Sequence, residues 1–118
     1  MLKCSERSDS VSLYGQYLLE REGKFIVEDS RGFATYTYLQ DAVYIEDIYV
    51  LPAFRKNGVA AEYADAICKI ALDKGLHKVI GTVAPSAKNS TSSMAVLLAY
   101  GFKLNSSDTN LIYFEKDL

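Results

Sequence analysis

Glu46 and Asp47 stand side by side in the strand-like run "YIEDIYV" (44–50), and Arg55, Lys56, Asn57 and Gly58 follow within one short loop. Neither group is required by a fold alone. Regular alternation along a strand puts Tyr44, Glu46, Ile48 and Val50 on one face and Ile45, Asp47 and Tyr49 on the other, so each face is apolar except for one carboxylate. Desolvation among such neighbours favours a carboxylate's proton-holding form, which suits a base working near neutral pH. The alternative is that the acids lie at a sheet edge or pair with Lys or Arg. Downstream, a glycine at a helix start leaves the free first-turn N–H groups open to an anion, and Arg55 and Lys56 add positive charge. Alone, the R-x-x-G-x-A pattern of Arg55 to Ala60 fits a basic surface loop equally well.

Other chemistries are disfavoured. No G-K-[ST] follows Gly58 and no G-x-G-x-x-G is present, which removes support for a phosphate-loop nucleotidase or a dinucleotide fold. Cys4 and Cys68 lie far apart and His77 is the sole histidine, a poor set for a metal site, so no metal is expected. Cys68 falls among apolar residues and reads as a small core residue, whereas His77, after a glycine turn, reads as a surface residue. A net charge of −2 argues against nucleic acid as the main partner. No apolar run approaches the roughly 20 residues needed to span a bilayer, and "MLKCSERSDS" is too polar for a signal peptide. The expected setting is the cytoplasm, away from membranes.

The elements that must position these residues follow from periodicity. With 118 residues, 49% hydrophobic and 24% charged, the chain is expected to form one domain, 1–118, with a core of its own. Residues 10–22 place Val11, Tyr14, Leu18 and Arg21 at helical spacing, with Ser10 or Ser12 as N-cap and Gly23 as stop, although Gly15 weakens the pattern. Runs 24–29, 32–39 and 42–50 read as strands, and their two-residue separators favour an antiparallel meander. Residues 58–75 change to a helical period through Val59, Tyr63, Ile67, Ile70 and Ala71, ending at Gly75. A strand (77–83), a helix (90–102) closed by Gly101 and a last strand (110–118) complete an α/β layout with a mixed sheet.

The order "YIEDIYV-LP-AFRKNGVA", a helix ending in glycine, a strand and a helix ending "YGF" resembles the GNAT superfamily of acetyl-CoA-dependent N-acetyltransferases over residues 24–118. Residues 44–60 are especially similar to diamine acetyltransferases, and the short length with the tail "LLAYGFKL…NLIYFEKDL" resembles compact phage-encoded members, which would work in host cytoplasm. The resemblance implies an α/β (α+β) fold: a mixed, mostly antiparallel sheet flanked by helices, with a reduced N-terminal region. It also implies acetyl-CoA as cosubstrate, its pyrophosphate held by backbone N–H groups of the turn Arg55, Lys56, Asn57, Gly58, Val59 and Ala60. Many relatives have glycine where Lys56 stands; lysine serves if its backbone permits. Backbone groups at Ile48, Tyr49 and Val50 would pair with the pantetheine arm and the thioester oxygen. Glu46 matches a general base, and Asp47 an acid that contacts cationic substrate.

Two departures accompany the resemblance. Where many members have a thiolate-protonating tyrosine this chain has Leu97, and where they have a coenzyme-binding asparagine it has Ser90, with Asn89 one residue earlier. Other branches carry leucine there together with serine at the place of Ser93. Tyr100 is then a candidate acid, or a core aromatic. A thiolate of pKa about 8.5 can also leave without a dedicated acid. Second, roughly 23 residues precede the first clear strand, so the acceptor groove is either open or completed by a second chain, a homodimer. Tyr14, Tyr17, Tyr36 and Tyr38 are candidates to line it, or ordinary packing aromatics. The expected partner is an amine, either a small polyamine-like molecule or a protein amine; the alternative is a catalytically weak GNAT-fold module that grips a partner protein.

Overall fold

The short separators in the meander do what their length dictates. In the computed structural model, which describes residues 2–83, 97–107 and 111–118, strands β2 (Phe25–Asp29), β3 (Gly32–Leu39) and β4 (Ala42–Val50) pair antiparallel in sequence order. They belong to a seven-stranded sheet of order β1-β2-β3-β4-β5-β7-β6, with β1 Lys3–Cys4, β5 Lys78–Val83, β6 Lys103–Ser107 and β7 Ile112–Asp117. Only β4 and β5 run parallel, joined through helix α2 (Val59–Asp73), so the sheet is mixed and mostly antiparallel as expected. β1 and β6 had no sequence signature. β1 has two residues, and β6 is the exposed polar run "KLNSS", drawn into the sheet by its hairpin with β7.

Helix α1 covers Leu13–Tyr17 and continues into a π-helical turn, Leu18–Glu22. Ser12 caps it by accepting a hydrogen bond from Gly15 N at 3.1 Å, and Gly23 stops it in the left-handed region at φ 65°. Gly15, the odd residue in the pattern, is where α1 meets β2: an added Cβ would lie 2.9 Å from Ile26 Cγ2. Helix α2 buries Val59, Tyr63, Ile67, Ile70 and Ala71 as its period predicts, together with Cys68. They pack on Val27, Ala34, Tyr36, Val43 and Ile45 of the sheet and on Val79, Val83, Phe102 and Phe114. His77 is exposed. Of the expected helix 90–102 the described part, 97–100, is helical and gives way at Gly101. No helix among the described residues is long and apolar enough to cross a membrane.

The alternation assumed for β4 is broken. Thr35 pairs with Asp47 but Tyr36 pairs with Ile45, so Glu46 is an extra residue in β4, a β-bulge. Upstream, Ile45 shares the α2 face with Tyr36, which leaves Tyr44 and Glu46 on the α1 face. Downstream, Asp47 aligns with Thr35 and Tyr49 with Phe33 on that same α1 face, while Ile48 and Val50 align with Ala34 and Gly32 on the other. The two carboxylates therefore lie on one face rather than opposite ones.

Beyond the bulge β4 also changes neighbours. Its parallel pairing with β5 covers only Val43–Ile45 against Val79–Gly81, and Tyr44 and Thr82 share a hydrogen bond of 2.8 Å there. Pairing with β3 continues to Val50. Among the described residues, the β5-side edge of Glu46–Val50 has no strand partner. At its far end β3 comes close to β4: a Cβ on Gly32 would press into the Tyr49 carbonyl oxygen and lie 2.9 Å from Val50 Cα. Gly32→Ala should force the strands apart and destabilise the fold by about 1–3 kcal/mol, the usual cost of overpacking, read as a lower urea midpoint at unchanged m-value.

Candidate functional site

The bulge collects charge on the α1 face. Glu46 Oε2 accepts a hydrogen bond of 2.9 Å from Lys24 Nζ, an ammonium that also lies 3.6 Å from Glu22 Oε2. Lys24 follows the Gly23 stop, and its backbone N donates to Leu18 O at 3.1 Å, so the end of the π turn fixes the root of its side chain. The hydrogen bond to Glu46 raises the Lys24 pKa against a smaller opposing effect of burial. Of the two readings open for the acids, Glu46 does pair with a cation. Asp47 is exposed.

An aromatic wall stands beside them. Tyr14 packs on Phe33 with centroids 5.4 Å apart, and Phe33 on Tyr49 at 5.8 Å. These rings with Ile26, Leu51 and Glu28 line an open cleft of about 480 Å³. Burial, then the charge of Asp47, pushes the Tyr14 phenol pKa up, so Tyr14 and Asp47 share one electrostatic neighbourhood. Of the tyrosines considered for a groove, Tyr14 lines this cleft and Tyr17 is exposed. Tyr36 and Tyr38 instead donate to Glu6 Oε1 at 2.8 and 2.6 Å, fastening the N-terminal segment.

The glycine turn forms the second half of the site. Gly58 caps α2 at φ 77° with no side chain to offer the first-turn N–H groups, and an added Cβ there would meet nothing within 4 Å. Lys56 adopts φ 66°, the left-handed conformation that glycine favours, so its backbone does permit a turn of the glycine kind. The backbone amides around Lys56–Ala60 thus surround an uncapped helix start with open space before it, a fit for an anionic group. Arg55 is differently occupied: its Nε donates to Val50 O at 2.8 Å and its guanidinium lies 5.7 Å from the Tyr49 ring centroid. It ties the loop back to β4.

A clamp centred on Arg31 holds the two halves in register. Arg31, in the β2–β3 turn, binds Asp29 Oδ2 at 2.7 Å and Glu62 of α2 at 2.7 Å, and its carbonyl accepts from Leu51 N at 2.8 Å. Tyr63 donates to Asp29 Oδ1 at 2.6 Å. One turn therefore fastens both the end of β4 and the start of α2. Nothing in the sequence pattern marked Arg31, Asp29 or Tyr63 as a unit.

The candidates at the last helix separate from this site. Tyr100 OH donates to Asp65 of α2, its ring stacks near Phe102, and Lys116 Nζ lies 3.9 Å from its centroid. Burial and then the Asp65 bond drive its pKa well upward. Tyr100 thus sits on the α2 side of the sheet, while Glu46 faces α1. Leu97 packs 3.5 Å from the Cβ position of Gly81, as an apolar residue of the core rim. Asn89, Ser90 and Ser93 lie outside the described residues. No group of three or more metal-ligating side chains occurs among the described residues.

The family model of the Acetyltransferase (GNAT) family matches residues 3–102. The chain belongs to the GNAT acetyltransferase family. Among solved structures it is similar to a GNAT family acetyltransferase from Elizabethkingia anophelis with acetyl-CoA bound (TM-score 0.72, 12% identity, 100% of this chain and 97% of that one). It is also similar to the IAA acetyltransferase from Bacillus cereus ATCC 14579 (TM-score 0.71, 13% identity, 100% of both). A third is the PaiA N-acetyltransferase from Thermoplasma acidophilum in complex with coenzyme A (TM-score 0.70, 15% identity, 80% of this chain). The chain spans 60% of that last enzyme's length. Identities this low speak to the shared GNAT fold.

The clamp generates a pH prediction. Burial works against the charged form of Asp29, but the Arg31 and Tyr63 hydrogen bonds outweigh it and hold the carboxyl at about 2, below its ordinary 3.8. A lowered folded-state pKa means stability present above 3.8 and lost as the pH falls toward about 2. Asp29→Asn should cost about 1–3 kcal/mol at neutral pH, and its deficit against wild type should shrink as melts are repeated through that window.

Proposed function

We propose that the chain is an acetyl-CoA-dependent N-acetyltransferase acting on a primary amine, either a polyamine-like small molecule or a protein amine. One observation carries this reading. The bulge at Glu46 turns two carboxylates onto one face where β4 parts from β5, one short loop ahead of an uncapped helix start.

Each part then has a task. Backbone amides from Lys56 to Ala60 hold the coenzyme A pyrophosphate, with Asn57, Gly58 and Val59 in the same turn, and the Lys56 ammonium adds charge. Arg55 keeps the loop against Val50. The edge at Ile48, Tyr49 and Val50, which has no strand partner among the described residues, offers backbone groups to the pantetheine arm and the thioester oxygen, apart from the Val50 carbonyl that Arg55 already holds. Asp47 and the acidic face draw a cationic acceptor. An alkylammonium with pKa about 10.4 is under about 0.1% neutral at pH 7, so a base must take its proton before it attacks, and Glu46, directly or through water, is that base. The leaving thiolate, of pKa about 8.5, needs no dedicated acid, so Tyr100 can remain with Asp65.

Saturating acetyl-CoA should raise the melting temperature by about 10 °C at a hundredfold excess over Kd. Gly58→Asp should abolish the shift, and the uncharged Gly58→Asn should keep most of it. No shift in wild type would sink the proposal. In a thiol-release assay against pooled amines, Glu46→Gln should lower kcat by roughly 10²-fold while the thermal shift persists. Tyr100→Phe should lose about 1 kcal/mol of stability and leave kcat within about threefold.

A further inference from the structure

Lys24 places a primary amine on the proposed base. Its Nζ lies 2.9 Å from Glu46 Oε2, the place an acceptor ammonium must reach if Glu46 is to take its proton. The other described lysines are differently placed. Lys74 binds Glu6, Lys78 lies beside Glu115, Lys116 donates to the Tyr100 carbonyl, Lys56 is exposed in the left-handed turn before α2, and Lys3, Lys69 and Lys103 are exposed. Lys24 also has room around its side chain. Its backbone is pinned to Leu18 O, but its side chain is 32% exposed and ends a four-carbon stem that can swing a few ångströms about Glu46.

We infer that Lys24 is a modification site of the chain's own chemistry: an acetyl group passes from acetyl-CoA to Lys24 Nζ within the same molecule. The inference rests on the function proposed above. Glu46 takes one proton from the Lys24 ammonium, and the freed lone pair attacks the thioester carbonyl carbon. The C–N bond forms and the C–S bond breaks, and the thiolate leaves with the electron pair of that bond. The nitrogen loses a second proton as it becomes an amide. One of the two protons ends on the coenzyme A thiol and the other passes through Glu46 to solvent, so no further reactant is needed. The product carries no charge at Lys24, which removes the cation from Glu46 and opens that carboxylate to external amines. Because the hydrogen bond that positions Lys24 also holds its proton, the self-transfer is slow compared with turnover of a free amine.

The test is to incubate the purified chain with acetyl-CoA and follow intact mass and peptide maps, alongside thiol release with pooled amines. Expected is one acetyl group at Lys24, added at a first-order rate independent of protein concentration, at least tenfold faster than at Lys3, Lys69 or Lys103. Folded Glu46→Gln should slow it about tenfold or more, and Lys24→Arg, which keeps a cation beside Glu46, should remove the Lys24 product. Lys24 still unmodified after prolonged incubation with acetyl-CoA, in a preparation that acetylates external amines, would overturn this inference and leave the proposed function standing. So would modification of Lys24 at the same rate in Glu46→Gln, or at a rate that rises with protein concentration. If neither Lys24 nor any amine is acetylated, both fall.

Discussion

The extra residue in β4 at Glu46 governs the geometry of everything around it. A strand that alternated without interruption would send Glu46 and Asp47 to opposite faces, one of them into the α2 core among Tyr36, Ile45 and Tyr63. An unpaired carboxylate there would cost several kcal/mol or be protonated. The bulge removes that conflict by resetting the alternation, so both acids lie toward α1 and both Ile45 and Ile48 lie toward α2. A bulge also bends its strand and sharpens the local twist, which accounts for β4 parting from β5 just past Ile45. One inserted residue therefore yields both the paired acids and a strand edge that has no partner strand among the described residues.

A strand that leaves its neighbour on one side needs support on the other. The glycine at position 32 lets β3 approach β4 where a side chain would collide with Tyr49 and Val50, so pairing with β3 persists to the last residue of the strand. From there Arg31 carries the constraint onward, binding Leu51 N through its carbonyl and Glu62 of α2 through its guanidinium. The short 3₁₀ turn Pro52–Phe54 and the Arg55–Val50 hydrogen bond close the remaining path. The helix start is consequently set against the strand by contacts on both sides of the loop. Positions 56 and 58 then supply the left-handed backbone that frees the amides of the turn.

Much of this was legible in residue patterns, and the illegible parts share a cause. The meander, α2 and the glycine stops follow from periods of two and 3.6 and from conformations that glycine favours, all of which are local. The pairing of Lys24 with Glu46 joins residues 22 positions apart across β3, and no local rule selects it. The bulge was missed because an insertion in one strand is visible only against its partner's register. β1 is too short for any period, and β6 is a polar run made a strand by its neighbour. The Asp29–Arg31 pair lies within one hairpin turn, yet its hold on Tyr63 depends on where α2 docks.

The ion pair at Glu46 bears on how a carboxylate can be both partnered and available. Glu46 is 21% exposed and Lys24 32% exposed, so the pair sits at the rim, where such contacts contribute only about 0–1 kcal/mol. Removing the lysine from a carboxylate buried in the core would leave a costly bare charge. At this rim, water and an incoming ammonium can both replace it. Under the function proposed above, exchange of one ammonium for another would leave the number of charge-assisted hydrogen bonds on Glu46 unchanged, and the acceptor's own contacts with Asp47 and the aromatic wall would decide which amine stays. The same exchange would be unfavourable at Asp29, where Arg31 and Tyr63 occupy both carboxylate oxygens and side-chain exposure falls to 8%. Two carboxylates only two strands apart thus differ because one is closed by its partners and the other meets a single half-exposed partner at the rim.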